Sequence, residues 1–524
     1  MRSRKQLLRS MKEEQIEQEQ LKDYEAMPVS SSLQEMLDAI GFELGNSADL
    51  NIRRLSCSDC TDSDSIAVVY IENMVDETQL DEFVIKPLLN ASGSSSAEER
   101  VEQLRNKLLA TGAVTVITHF KQLFQQLFAG NTVILVDGCA HALSAGTAGG
   151  VKRNMQEPRT EQALRGPREG FTETLLDNTA LIRRKIRSPK LWLERKTIGK
   201  VTQTPVGIMY MKDLADEGVL KELRNRLDRI HIDGILESGY IEEMISDQKW
   251  TPFPTVMNNE RPDVIVSYLL EGRVAILMEG TPFVLVVPTT LNAFFQAAED
   301  YYHNYQMATF LRMLRFVSFV IALLMPSIYV AIVGYHQEMI PTPLLLKLAA
   351  QREGVPFPAY LEAFLMEFVF EILREAVLRM PGNAGNAVPI VGGLVIGQSV
   401  VEAGIVSSAV VIVVSFTAIA SFVAPVYSLG IAARLLRFIL LLAASTLGFY
   451  GIALVVLLLL LHLSNLRSFG LPYLKPFAPF NWRDMKDSLI RAPIWMFKQR
   501  PHQLAERNHT RQDNRLEPRE EPSQ

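Results

Sequence analysis

The chain has 524 residues, of which 48% are hydrophobic and 21% charged, and its formal net charge is −5. That balance excludes a strongly basic nucleic-acid binder, and the length exceeds one domain. Three cysteines, Cys57, Cys60 and Cys139, are too few for a disulfide framework and suit a reducing compartment.

From the N-terminus, MRSRKQLLRSMKEEQIEQEQ lacks an apolar core of signal-peptide length, so the first half is expected to stay in the cytoplasm. Residues 1–59 read as an N-terminal extension. Cys57 and Cys60 spell CxxC at its end. A structural zinc takes four ligands, no second pair follows, and the flanking Ser-Asp residues do not open a thioredoxin-type helix, so the pairing reads as chance.

An internal repeat comes next. AVVYIENMVDETQLDEFVI, from Ala67, predicts a strand turning into an amphipathic helix through Asp76. VGIMYMKDLADEGVLKEL, from Val206, predicts the same and aligns Tyr70 with Tyr210 and Asp76 with Asp216. Each unit ends on a glycine-bounded strand, GNTVILVDG (Gly130–Gly138) and GRVAILMEG (Gly272–Gly280). Two related α/β domains follow, 60–150 and 201–290, with strands packed under helices. The small-residue run SAGTAGG after the first strand has no Gly-Lys-Ser/Thr, and no GxGxxG opens a helix, so it reads as a loop. The eight histidines never pair at metal-ligand spacing. Neither an enzyme nor a metal or cofactor is expected.

Residues 151–200 read as a charged connector. Within it, Arg165, Gly166, Pro167, Arg168 and Glu169 alternate charge around a rigid turn, followed by a basic helix-like segment with Arg183, Arg184, Lys185 and Arg187. Two readings stay open, a solvated linker or groups that pair with another domain or subunit.

After a juxtamembrane amphipathic helix at 291–315, three uncharged runs are each about as long as a ~30 Å hydrocarbon core requires: Phe316–Gly334, Gly404–Pro425 and Phe438–Leu461. Residues 316–466 therefore form an all-α polytopic membrane domain, and 467–524 a basic tail. Arg312 and Arg315 precede the first run, and Arg467 and Lys475 follow the last. This predicts an even number of crossings with both termini cytoplasmic.

Between the runs the chain is unexpectedly polar. At about 100° per residue, Glu367, Glu371, Arg374, Glu375 and Arg379 share one helical arc, and Met366, Val369, Phe370, Leu373, Ala376 and Val377 the other. If this helix crosses the bilayer, such a stripe must face a water-filled cavity or pair internally, which makes Glu367, Glu371, Arg374 and Glu375 pore-lining candidates. The alternative is a helix lying in the interface. Farther on, Pro389 opens a short apolar run in which Gly393 and Gly397 form a GxxxG helix-packing motif.

RGPREGFTE (Arg165–Glu173), DNTALIRRKIR (Asp177–Arg187), EDYY (Glu299–Tyr302), REGVPFPAYLEA (Arg352–Ala363), FEILREA (Phe370–Ala376), GLVIGQSVVEAGIVS (Gly393–Ser407) and SFGLPYLKPFAP (Ser468–Pro479) together resemble the A subunit of GerA-type spore germinant receptors. The resemblance implies a multi-pass subunit in the inner membrane of the spore, beside a transporter-like B subunit and a lipoprotein C subunit. It also implies a homo-oligomer in contact with lipid, forming an ion path gated by nutrient binding in the partner. The competing expectation is a membrane-anchored cytoplasmic scaffold, or a related sporulation paralogue, without its own channel. A secondary transporter is disfavoured, because no repeat appears within the membrane half.

Overall fold

The computed structural model describes residues 27–55, 66–89, 97–108, 113–149, 165–379, 395–423 and 425–501, with a few isolated positions between and after them. Cys57, Cys60, Pro389 and residues 1–26 lie outside the described residues, whereas 27–55 of the expected N-terminal extension belong to the first sheet unit.

The soluble half holds two five-stranded sheets. The first contains β1 (Leu50–Leu55), β2 (Ile66–Ile71), β3 (Val114–Ile117), β4 (Thr132–Val136) and β5 (Ala142–Ala145), in the order β1-β2-β4-β5-β3. The second contains β6 (Leu191–Ile198), β7 (Thr204–Met211), β8 (Met257–Asn259), β9 (Val274–Met278) and β10 (Val284–Val287), in the order β6-β7-β9-β10-β8. The strand order is therefore the same in both sheets. All ladders are antiparallel, so the expected α/β layering is of the antiparallel-sheet kind.

Helices cover both faces of each sheet, which explains why β4 and β9 are buried at every position instead of alternating. One face of the first sheet packs on helices Leu33–Glu43 and Phe120–Phe128, and the other on the helical stretch Glu77–Leu89. In the second, Leu175–Lys185 and Pro262–Leu270 take the first role, while Glu217–Asp228 and Ser238–Ile245 take the other. The capping chemistry recurs as well. Asp76 accepts from the Thr78 and Gln79 amides, and Asp216 from those of Gly218 and Val219. The carboxylates that follow β4 and β9, Asp137 and Glu279, each accept from a helix N-terminus, at Leu33 and Leu175. Gly130 and Gly272 turn the chain at φ 88° and 94°, which only glycine adopts freely.

Two segments from the expected connector belong to this architecture: Leu175–Lys185 is a packed helix, and β6 is an edge strand. The basic helix joins the two sheets. Arg183 binds Asp49 at 2.8 Å, with both side chains at most 2% exposed, and Arg184 donates to the Gly149 carbonyl. Burial pushes the Asp49 carboxyl up, but Arg183 outweighs it and leaves the group below its ordinary value.

The second half is helical. Its bundle contains α1 (Tyr305–Tyr335), α2 (Thr342–Arg352), α3 (Ala359–Arg379), α4 (Ser408–Ser421) and α5 (Tyr427–Asn465), with a further helical stretch at 395–402. Among the described residues two helices, α1 and α5, are long and apolar enough to cross a membrane. The expected span Gly404–Pro425 is helical only over the 14 residues of α4. These rise about 21 Å, short of a ~30 Å core.

The run Phe438–Leu461 is not one straight span either. Gly448 sits inside α5 at φ 59°, ψ −137°. A Cβ built on Gly451 would lie 2.2 Å from the Ala443 carbonyl oxygen, eight residues back, whereas a continuous helix would separate such positions by about 12 Å. The helix therefore folds back on itself as two arms, 427–447 and 449–465. The Tyr335 hydroxyl donates to the Ser445 carbonyl at the bend, satisfying backbone that the break exposes.

Candidate functional site

The bundle is apolar outside and charged inside. Large apolar side chains such as Phe316, Val320, Ile412, Ile439, Leu457 and Leu461 are exposed, whereas Glu362, Glu367 and Arg437 are buried. A water-soluble protein shows the opposite arrangement, and an exterior of this kind suits lipid.

The inner charges form a ladder. At one end the Glu362 carboxylate accepts from the Ser407 amide at 2.8 Å and lies 3.4 Å from Arg352. One turn along α3, Glu367 meets Arg437 of α5 at 2.6 Å, both side chains 1% exposed, and Arg437 also donates to the Ala322 carbonyl of α1 at 2.7 Å. At the next turn Glu371 lies 3.2 Å from Arg434 and 3.5 Å from Arg374, and Arg374 hydrogen-bonds Ser421 of α4. Beyond this, Glu375 pairs with Arg379 in an exposed i,i+4 bridge. Three of the predicted pore candidates, Glu367, Glu371 and Arg374, are thus brought together and paired within the chain. Glu375 stands apart at the exposed end.

Sequence periodicity missed Arg434 and Arg437, which lie 63 and 70 residues from their carboxylates. The visible signal was that both interrupt an otherwise apolar helix. Of the GxxxG pair, Gly397 would place a Cβ 3.8 Å from Val411 of α4, whereas Gly393 has no neighbour within 4 Å among the described residues.

A second charged centre joins the bundle to the soluble half. Asp300, fully buried, binds Arg312 and Arg315 of α1, each at 2.8 Å. Arg312 reaches on to Asp487 of the tail at 2.7 Å, and the Tyr301 hydroxyl donates to the other Asp487 oxygen. Burial pushes the Asp300 carboxyl up, but hydrogen bonds from Arg315 and the charge of Arg312 outweigh it and hold the group below its ordinary value. The chain after α5 returns to the same sheet unit that α1 leaves. Ser468 bridges the Thr255 carbonyl and the Thr289 amide, and the Leu291 amide donates to Tyr473.

The Arg165–Glu169 motif folds onto this junction. Gly166, at φ 127°, lies against the Tyr302 ring, where a Cβ would come within 2.5 Å. The Pro167 carbonyl accepts from Arg261, which also binds Asp263. Glu169 pairs with Lys185, Arg168 with Glu157 at the surface, and Arg165 is exposed. Nearby, burial raises the Glu161 carboxyl to about 7 against a hydrogen bond from Asn259.

Among the described residues no group of three or more His, Cys, Asp or Glu side chains could hold a metal. These features define a class of protein: a duplicated antiparallel-sheet head joined by paired charges to an apolar helical bundle. Residues 38–503 match the family described as Bacillus/Clostridium GerA spore germination protein. The chain is 47% identical to Spore germination protein KA of Bacillus subtilis (strain 168), across 94% of this chain and 90% of that one. It is 40% identical to Spore germination protein GerLA of Bacillus cereus, across 92% and 98%. Among solved structures, it is similar to the N-terminal domain of the A subunit of the Bacillus megaterium spore germinant receptor GerK3, with a TM-score of 0.39 and 36% identity. That likeness covers 50% of this chain and 96% of that one. The chain belongs to the GerA spore germination protein family.

Proposed function

We propose that this chain is the membrane subunit of a nutrient germinant receptor, acting beside a transporter-like B subunit and a lipoprotein C subunit in the inner membrane of the spore. The observation that carries the reading is the buried charge ladder inside an apolar-surfaced bundle. Charges in such a setting are expensive unless paired, and a set of exchangeable pairs is a two-state element that a partner can bias.

In this reading α1 leaves the head, α3 runs back toward it, 395–402 and α4 form a shorter excursion, and α5 goes out and returns. The crossings are even in number, and both ends lie on the cytoplasmic side. The paired ladder is the closed arrangement. Nutrient binding in the partner favours another arrangement, in which Glu371 and Glu375 face symmetry mates around an oligomer and line a cation path. Gly393, exposed and with no neighbour within 4 Å among the described residues, is placed for close approach of a second copy.

The test is the nutrient response of spores carrying Glu371→Gln with Glu375→Gln. At normal protein level the response should fall, and an unchanged response sinks the gate. One observation favours a second reading: Glu367 and Arg437 neutralise each other's charge within one chain, as an anchor for a cytoplasmic scaffold would require. A scaffold predicts a normal response from the apolar pair Glu367→Met with Arg437→Met, whereas the gate predicts an altered one.

A further inference from the structure

Between the second sheet unit and the tail lies a cavity of about 90 Å³. That is room for a few waters or one compact oxyanion. Its lining carries four cationic side chains: Arg273 and Lys475, which are buried, and Arg483 and Arg511, which are exposed.

The carboxylates beside the two buried cations hold them only at long range. Lys475 comes no closer to Asp484 than 3.8 Å, and Arg273 lies 3.5 Å from Glu271. Arg273 Nε is buried with no hydrogen-bond partner among the described residues. The neighbouring node holds its pairs at 2.7 and 2.8 Å, the usual length of a charge-assisted bond. Asp487, the third carboxylate of the lining, is already committed to Arg312 and Tyr301. Buried donors normally find acceptors, so long pairs around open space mark a missing one. Burial also pushes the Lys475 ammonium below its ordinary value, with Asp484 only partly opposing.

We infer that this cavity is a binding site for a small oxyanion of the phosphate class, held by Lys475 and Arg273 with Arg483 at the rim. Because Asp487 borders the cavity and also anchors Arg312 of α1, occupancy bears directly on how the tail and the first membrane helix are held together. The site stands independently of the ion-path reading.

The experiment titrates the full chain, purified in detergent, with inorganic phosphate at fixed ionic strength, and follows heat of binding and thermal midpoint. Saturable binding with a rising midpoint is expected. Lys475→Met and Arg483→Gln should each weaken it at least about tenfold, as loss of a charge-assisted contact does. Arg483 is exposed, so its variant keeps the test meaningful if Lys475→Met fails to fold. Competition by phosphatidic acid in the micelles would identify a lipid headgroup as the natural source, and lack of competition the free ion. Absence of saturable binding, or equal affinity in the parent and both variants, overturns the site.

Discussion

Replacing Glu367 by Gln keeps the shape of the side chain and removes its charge, leaving Arg437 buried in the bundle with no anion. Both side chains are 1% exposed, and Arg437 keeps only neutral acceptors, the Ala322 carbonyl and the amide oxygen of the new side chain. A guanidinium cannot give up its proton to escape, so the full penalty applies, about 3–5 kcal/mol for breaking a buried pair from one side. Arg437→Met orphans a carboxyl instead, and a carboxyl can take up a proton, which reduces the penalty to about 1–3 kcal/mol. The double variant Glu367→Met with Arg437→Met removes both charges and should return to within about 1 kcal/mol of the parent. Thermal midpoints of the three proteins in detergent, together with their abundance in membranes, give the ranking: Glu367→Gln lowest, Arg437→Met intermediate, the double near the parent. A parent-like midpoint for Glu367→Gln, or a double variant as unstable as that single, would refute the claim that these charges stabilise only as a pair.

The junction should respond in the same currency, with a pH signature. Asp300→Asn should destabilise the protein by about 3–5 kcal/mol at neutral pH. Because the folded Asp300 carboxyl sits below its ordinary 3.8, its contribution is complete above that value and is lost as pH falls through the lower one. The difference between variant and parent should therefore close in acid, and a difference that widens there would contradict the assignment. Glu161 has the opposite sign: with its folded value raised to about 7, its favourable term is present below 4.5 and lost as pH rises through 7. Glu161→Gln should therefore be more stable than the parent at pH 8, by up to about 3 kcal/mol, and no more stable at pH 4, as read by paired melting curves. Gly448→Ala puts a side chain at φ 59°, ψ −137°, with its Cβ 2.9 Å from the His336 ring. It should lose about 1–3 kcal/mol, and Ala there without a measurable loss would argue against the bend.

The repeat was legible because its punctuation is chemical. Capping aspartates and positive-φ glycines leave the same residue types at the same offsets, and the two sheets adopt one strand order. What periodicity could not supply was the direction of pairing, because apolar strands covered on both faces look alike in parallel and antiparallel sheets. The polar arc of α3 was likewise visible, but its partners were not, since Arg434 and Arg437 sit on another helix. The bend at Gly448 hides in an unbroken apolar run, where hydropathy carries no signal and only the closely spaced Gly448 and Gly451 hint at reversal. Asp300 and Asp487 meet through Arg312 across 187 residues of chain, a distance at which sequence gives charge but not company.

The central claim, that the bundle is a gated cation path, is tested most directly by the conductance of the purified receptor complex in liposomes. Addition of nutrient should open a cation-selective current that falls when Glu371 and Glu375 are changed to Gln. A current of unchanged size and selectivity in that variant, or no nutrient-dependent current from a complex that still binds its nutrient, would contradict it.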